Sequence, residues 1–230
     1  MTASLVALTL AVIGGTGKEG KGLALRWAKA GYQVLIGSRS FEKATAAAQQ
    51  ILELLDVNAS IGGTTNRDAA KAADIAILTV PYLAHREILE DIKDVMQGKI
   101  LVDVTVPLSS ARGSDLYISS SGSAAQEASA ILGENVQVTS AFQNISYKLL
   151  LQEESIPSDV LVTGTSKDAR IETLKLVRAA GFTGWDAGPI ENAFVTEGLT
   201  RVLIYINKEY GSKNAGIKIT GVTNDPEAQL

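Results

Sequence analysis

Seven residues near the start of the chain, Gly14-Gly15-Thr16-Gly17-Lys18-Glu19-Gly20, carry the most specific chemistry in the sequence. Gly15, Gly17 and Gly20 fit the spacing G-x-G-x-x-G, behind the apolar run Thr9 to Gly14 and ahead of a helical stretch, Lys21 to Ala30. Between a strand and a helix this spacing binds a dinucleotide. One glycine makes the tight turn, the next lets a pyrophosphate approach the backbone, and the third lets helix and strand pack closely. The free amides and partial positive charge of the helix N-terminus complete an anion site. A second group follows in Gly37-Ser38-Arg39-Ser40, with Lys43 one helical turn later. An acid at the end of this second strand would pair with the ribose hydroxyls of NAD; a hydroxyl, a guanidinium and an ammonium suit a 2′-phosphate. NADP(H) is the expected nucleotide.

Composition removes rival chemistries. The 230 residues include no cysteine and one histidine, His85. That excludes disulfides, thiol nucleophiles, iron–sulfur clusters and thiolate zinc sites, and no metal site is expected. A lone histidine also disfavours a histidine-based triad, and in a helix start it reads as a capping or solvated residue. Asp103 and Asp115 are candidate carboxylates without an evident base or metal partner. Lys and Arg number 21 against 25 Asp and Glu, a formal net charge of -4, which argues against nucleic acid or an anionic membrane as the main partner. The apolar run Ala3 to Gly15 has no preceding positive charge and is too short to span a bilayer, which takes about 20 residues. A cytoplasmic protein is expected.

Strand and helix patterns alternate around these groups. Gln33 to Gly37, Asp74 to Val80 and Lys99 to Thr105 are apolar runs suited to strands buried on both faces, as in a parallel sheet covered by helices. Val136 to Phe142 and Asp159 to Gly164 resemble them, and a short strand is expected around Ala59 to Gly62. Helical spacing marks Ala44, Ala48, Ile51 and Leu55 behind an N-cap at Ser40, and Ile88, Ile92 and Val95 behind Pro81. It recurs at Ile171, Leu174 and Val177 behind Ser166 or Asp168, and at Val195, Leu199, Val202 and Ile206 with a stop near Gly211. The alternation predicts an α/β fold, a Rossmann-type doubly wound parallel sheet with a small C-terminal α/β substrate-capping domain. The expected boundaries are 1–144 for the NADP-binding part, 145–222 for the capping part and 223–230 for a tail. The last helix's apolar stripe, with Tyr205, serves either the core or a homodimer interface, the core being the default. Val80-Pro81-Tyr82 and Val106-Pro107 lie where the carboxyl ends of the strands should open a ligand crevice.

The chain resembles the NADPH-dependent coenzyme F420 reductases. The matching segments are Gly14 to Gly31 (GGTGKEGKGLALRWAKAG), Ile36 to Ala44 (IGSRSFEKA), Asp74 to Tyr82 (DIAILTVPY) and Asp186 to Ala193 (DAGPIENA). The resemblance runs through about Ile219. It implies that Gly15 and Thr16 to Glu19 hold the pyrophosphate, and that Ser38, Arg39 and Lys43 hold the 2′-phosphate. It further implies that Val80, Tyr82, Val106 and Tyr147 line the nucleotide cleft, and that Gln143, Ile145 and Ser146 run beside the nicotinamide and the deazaflavin. Within that segment the family typically has histidine where this chain has Gln143, and often proline at Ser146.

The implied reaction is hydride transfer between C4 of the nicotinamide of NADP(H) and C5 of the deazaflavin coenzyme F420, with no catalytic side chain required. The rings carry the chemistry and the protein supplies orientation. Alternatives from the same residues are a reductase of another flavin, a metal chelate or an imine, or a nonenzymatic NADP(H)-sensing module.

Overall fold

The computed structural model describes residues 8–55, 59–108, 121–151 and 157–222. The 223–230 tail and Asp115 lie outside them. Eight strands form one sheet: β1 (Thr9–Ile13), β2 (Gln33–Ser38), β3 (Ile61–Thr65), β4 (Ile75–Leu78), β5 (Ile100–Asp103), β6 (Gln137–Ser140), β7 (Asp159–Gly164) and β8 (Thr183–Pro189). Eight α-helices accompany them among the described residues: α1 (Lys18–Lys29), α2 (Phe41–Leu52), α3 (Asn66–Ala72), α4 (Tyr82–Ile92), α5 (Ala124–Leu132), α6 (Tyr147–Leu150), α7 (Lys167–Ala179) and α8 (Ala193–Glu209). The strand order is β3-β2-β1-β4-β5-β6-β7-β8. All neighbours are parallel except β6 and β7. The order reverses between β1 and β4, and the crevice beyond the carboxyl ends of these strands is where such sheets bind ligands.

Two apolar layers follow from the period-two geometry of the strands. Leu10 and Val12 of β1, with Ile75 and Ile77 of β4, face a layer that contains Leu23 and Trp27 of α1 and Ile51 of α2. Ala11 and Ile13, with Ala76 and Leu78, face the opposite layer against Leu89 and Ile92 of α4 and Ala128 of α5. Caps appear where their residue types predict them: the Ser40 hydroxyl accepts from the Lys43 amide at 3.3 Å. Of the two candidates ahead of α7, Ser166 is the cap, accepting from the Ala169 amide at 3.2 Å.

Three elements depart from the periodic pattern. The strand expected at Ala59 to Gly62 lies two residues further on, at Ile61–Thr65, where Gly63 lets β3 pass close under α2. A Cβ on Gly63 would fall 2.2 Å from the carbonyl carbon of Ala44. β8 has two glycines, an aspartate and a terminal proline, and no buried residue, so it carries no strand pattern. The expected apolar stripe of α8 faces outward: Val195 is 60% exposed, Val202 51% and Tyr205 63%. Its buried face is instead Ala193, Thr196, Glu197 and Leu203, so the core reading of that stripe is overturned.

Helix α1 ties β1 and β2 to α6 and α7. Arg26 donates from its three guanidinium nitrogens to the carbonyls of Leu150 (2.8 Å), Leu149 (3.1 Å) and Ala180 (2.8 Å), which end α6 and α7. Trp27 donates to the Leu176 carbonyl at 2.9 Å and meets Phe142 edge-on, ring centroids 5.9 Å apart. A cationic fork on helix C-terminal carbonyls satisfies orphan acceptors and the local negative potential together.

Candidate functional site

The turn after β1 is built by contact distances that only glycine tolerates. Gly14 has φ of +71°, and a Cβ there would meet Val80 Cγ1 at 2.4 Å. A Cβ on Gly20 would sit 2.7 Å from both Gly15 Cα and Thr79 Oγ1. Gly17 is different: its nearest neighbour would be the Gly14 carbonyl at 3.8 Å. The structure therefore leaves room at Gly17 for a group to approach the backbone closely. Gly17 also caps α1 without a side-chain hydrogen bond, so the first-turn amides remain available to an anion. Gly20→Ala should force helix and turn apart, lowering stability by about 1–3 kcal/mol and weakening NADPH binding at least tenfold in a fluorescence titration.

The groove divides into two cavities that share Gly17, Thr79, Val80 and Pro81 as lining. The smaller, about 280 Å³, adds Thr16, Ser38, Arg39 and Lys43. Ser38 is buried and its hydroxyl accepts from the Ser40 amide at 3.3 Å. Arg39 and Lys43 are exposed and enter no ion pair among the described residues, so both cations are free to meet a phosphate.

The larger cavity, about 640 Å³, is ring-sized. Here the structure brings together Lys18, Glu19, Tyr82, Val106, Gln143, Ile145, Ser146 and Tyr147. Lys18 and Glu19 thus face this cavity, while Gly15 lies buried beneath the turn and lines neither cavity. The Lys18 ammonium stands 5.2 Å from the centre of the Tyr147 ring. Burial pushes the Glu19 carboxyl up to about 8. Tyr82 is fixed by its hydroxyl, which donates to Glu127 at 2.6 Å; Arg86 holds the other carboxylate oxygen at 2.8 Å.

Behind the wall lies a polar cluster that sequence reasoning misread. His85 is neither capping nor solvated. It is fully buried, with Nε2 2.7 Å from Oδ2 of an equally buried Asp103. Asp103 is therefore not without a basic partner. Its Oδ1 accepts from the Thr105 amide at 2.9 Å. Burial disfavours the charged imidazole, yet the charge and hydrogen bond of Asp103 prevail and raise its pKa above the ordinary value. The available signal was spacing: His85, Ile88, Leu89 and Ile92 share one buried face of α4. Glu197, also missed, is 2% exposed and accepts from the Ala124 and Ala125 amides at 2.8 and 3.1 Å, closing the start of α5. Burial, with nearby Asp103, pushes its carboxyl up to about 8.

Known proteins share this sequence and fold. The family model for coenzyme F420-dependent NADP oxidoreductases matches residues 9–107. An F420-dependent NADP reductase of Methanothermobacter thermautotrophicus is 41% identical over 228 residues, covering 95% of this chain and 97% of its own. That of Methanocaldococcus jannaschii is 37% identical over 223 residues, covering 94% and 99%. A solved chain from Arthrobacter sp. FB24 superposes with a TM-score of 0.81 over 94% of this chain and all of its own, at 23% identity, which attests the fold. The glycine turn, the exposed cations and the ring-sized cavity thus sit in a chain that is matched nearly end to end by two such enzymes, and the chain belongs to the F420-dependent NADP reductases.

Proposed function

We propose that the smaller cavity seats the 2′-phosphate end of NADP(H) and the larger cavity seats the nicotinamide against the deazaflavin of coenzyme F420, with a hydride passing between them. One observation carries the reading: the two cavities meet at Gly17, Thr79, Val80 and Pro81, one bordered by cations that enter no ion pair among the described residues and the other large enough for stacked rings.

Hydride exchange is the chemistry of the two bound heterocycles. The chain's own residues orient and enclose. Ser38, Arg39 and Lys43 take the 2′-phosphate, and the α1 amides take the pyrophosphate. Val80, Tyr82, Val106 and Tyr147 wall the nucleotide cleft, and Gln143, Ile145 and Ser146 run beside the nicotinamide and the deazaflavin. Residues 1–144 form the nucleotide unit in this reading and 145–222 the deazaflavin side. It also includes a cytoplasmic location and a second copy of the chain on the exposed stripe of α8. The formal charge of -4 argues against nucleic acid as the main partner.

Purified protein should oxidise NADPH when coenzyme F420 is added, followed at the deazaflavin absorbance band, with free flavins and ferric chelates as comparison acceptors. Demonstrated NADPH binding without turnover of authentic F420 would refute the assignment.

A further inference from the structure

Gln143 has a polarity that its residue type alone leaves open. Its Nε2 lies 2.8 Å from the Asp103 carbonyl and 2.8 Å from the Ser140 hydroxyl. A carbonyl oxygen only accepts, so the atom facing it is the amide nitrogen, and both of its N–H groups are spent inside the protein. The amide oxygen has no partner among the described residues. It is also not among their sealed unpaired atoms, which are His85 Nδ1 and Thr163 Oγ1. Gln143 is 7% exposed and lines the larger cavity, so that oxygen is presented to the cavity.

The residue is held from several sides. Its own carbonyl accepts from the Thr200 hydroxyl of α8 at 2.9 Å. The preceding Phe142 is fully buried in a left-handed conformation, φ 72°, with its ring edge-on to those of Trp27 and Phe182. Such a backbone persists only where the surroundings over-determine it. Flipping the amide would set two oxygens against each other at Asp103 in a buried site.

We propose that Gln143 is a specificity residue, a fixed hydrogen-bond acceptor that selects a heterocycle edge presenting an N–H. This deepens the reading of the larger cavity as the ring site and rests on it. Two bound rings offer such a group: the carboxamide of the nicotinamide and the pyrimidine imide of the deazaflavin. A keto edge offers none and would leave the acceptor unpaired, at a cost that corresponds to roughly tenfold or more in affinity.

The test is a set of binary dissociation constants from fluorescence titration, independent of turnover. One pair is NADP and its 3-acetylpyridine analogue, which carries a methyl ketone in place of the carboxamide. The other is F420 and a derivative methylated at the imide nitrogen. Wild-type protein should bind one parent roughly tenfold or more tightly than its analogue, and that pair identifies the ring. Gln143→Met should bind the two members alike. Ser140→Ala, which frees one amide N–H and keeps the glutamine, should narrow the same gap, with circular dichroism confirming that both variants fold. Equal binding of both pairs by wild-type protein, or a gap that survives in folded Gln143→Met, overturns the proposal. A gap in the nicotinamide pair without any F420 binding would instead refute the second substrate and leave Gln143's role standing.

Discussion

Replacing His85 with leucine should remove about 3–5 kcal/mol of folding free energy, the cost of stranding a buried charge. Asp103 is fully buried, and the imidazole is the only partner of its Oδ2 among the described residues. Without it, the buried carboxylate keeps the buried Glu197 as a neighbour and no cation among the described residues. Urea denaturation measures the loss, and the double replacement His85→Leu with Asp103→Leu should be much milder, because an apolar pair leaves no orphan charge. A single-variant loss below about 1 kcal/mol would show that removing the imidazole strands no buried charge. The pH dependence has a defined sign. His85 has a raised pKa, so its contribution is complete below about pH 6.5 and fades as pH rises through the folded value. Glu197, raised from 4.5 to about 8, loses its contribution between those values as pH rises. Both act in one direction, and the melting temperature should fall from pH 6 to pH 9.

The second large effect concerns the nucleotide. Arg39→Glu should weaken NADPH binding on the order of a hundredfold, since it deletes a charge-assisted hydrogen bond and sets a carboxylate against the 2′-phosphate. NADH, which lacks that phosphate, should be held within about threefold of its wild-type affinity or more tightly, because an acid here can accept from the ribose hydroxyls. Fluorescence titrations of both nucleotides check the pair of outcomes. Equal losses for NADPH and NADH would show that Arg39 supports the turn instead of reading the phosphate.

What could be read from the residue order was what repeats or caps. The buried strands announce themselves as apolar runs, and Ser40 and Ser166 mark helix starts by their chemistry. The phosphate turn is legible because glycine spacing there answers to contact distances, as at Gly20 against Gly15. Elements fixed by a neighbour were not legible. β8 follows β7 by pairing, and α3 has only seven residues (Asn66–Ala72), too few for a face to repeat. The direction of the α8 stripe turned on Glu197, a polar residue that goes inward because two amides of α5 wait for it. His85 and Asp103 stand 18 positions apart on different elements; each looks unremarkable until the fold sets them side by side.

Helix α1 is 12 residues long, roughly 18 Å at 1.5 Å per residue. Its first turn faces the groove where the phosphates would lie, and Arg26 in its last turn holds the carbonyls that end α6 and α7. Gly22 between them presses on Leu150, where a Cβ would meet the Leu150 Cβ at 2.4 Å. Because α6 begins with Tyr147, a wall of the ring cavity, one stiff rod sets the span between the phosphate grip and that wall. In the proposed reading α1 is a ruler for the reach of a dinucleotide, cut to length by the run from Gly17 to Arg26, and a one-residue insertion there would misalign both ends at once.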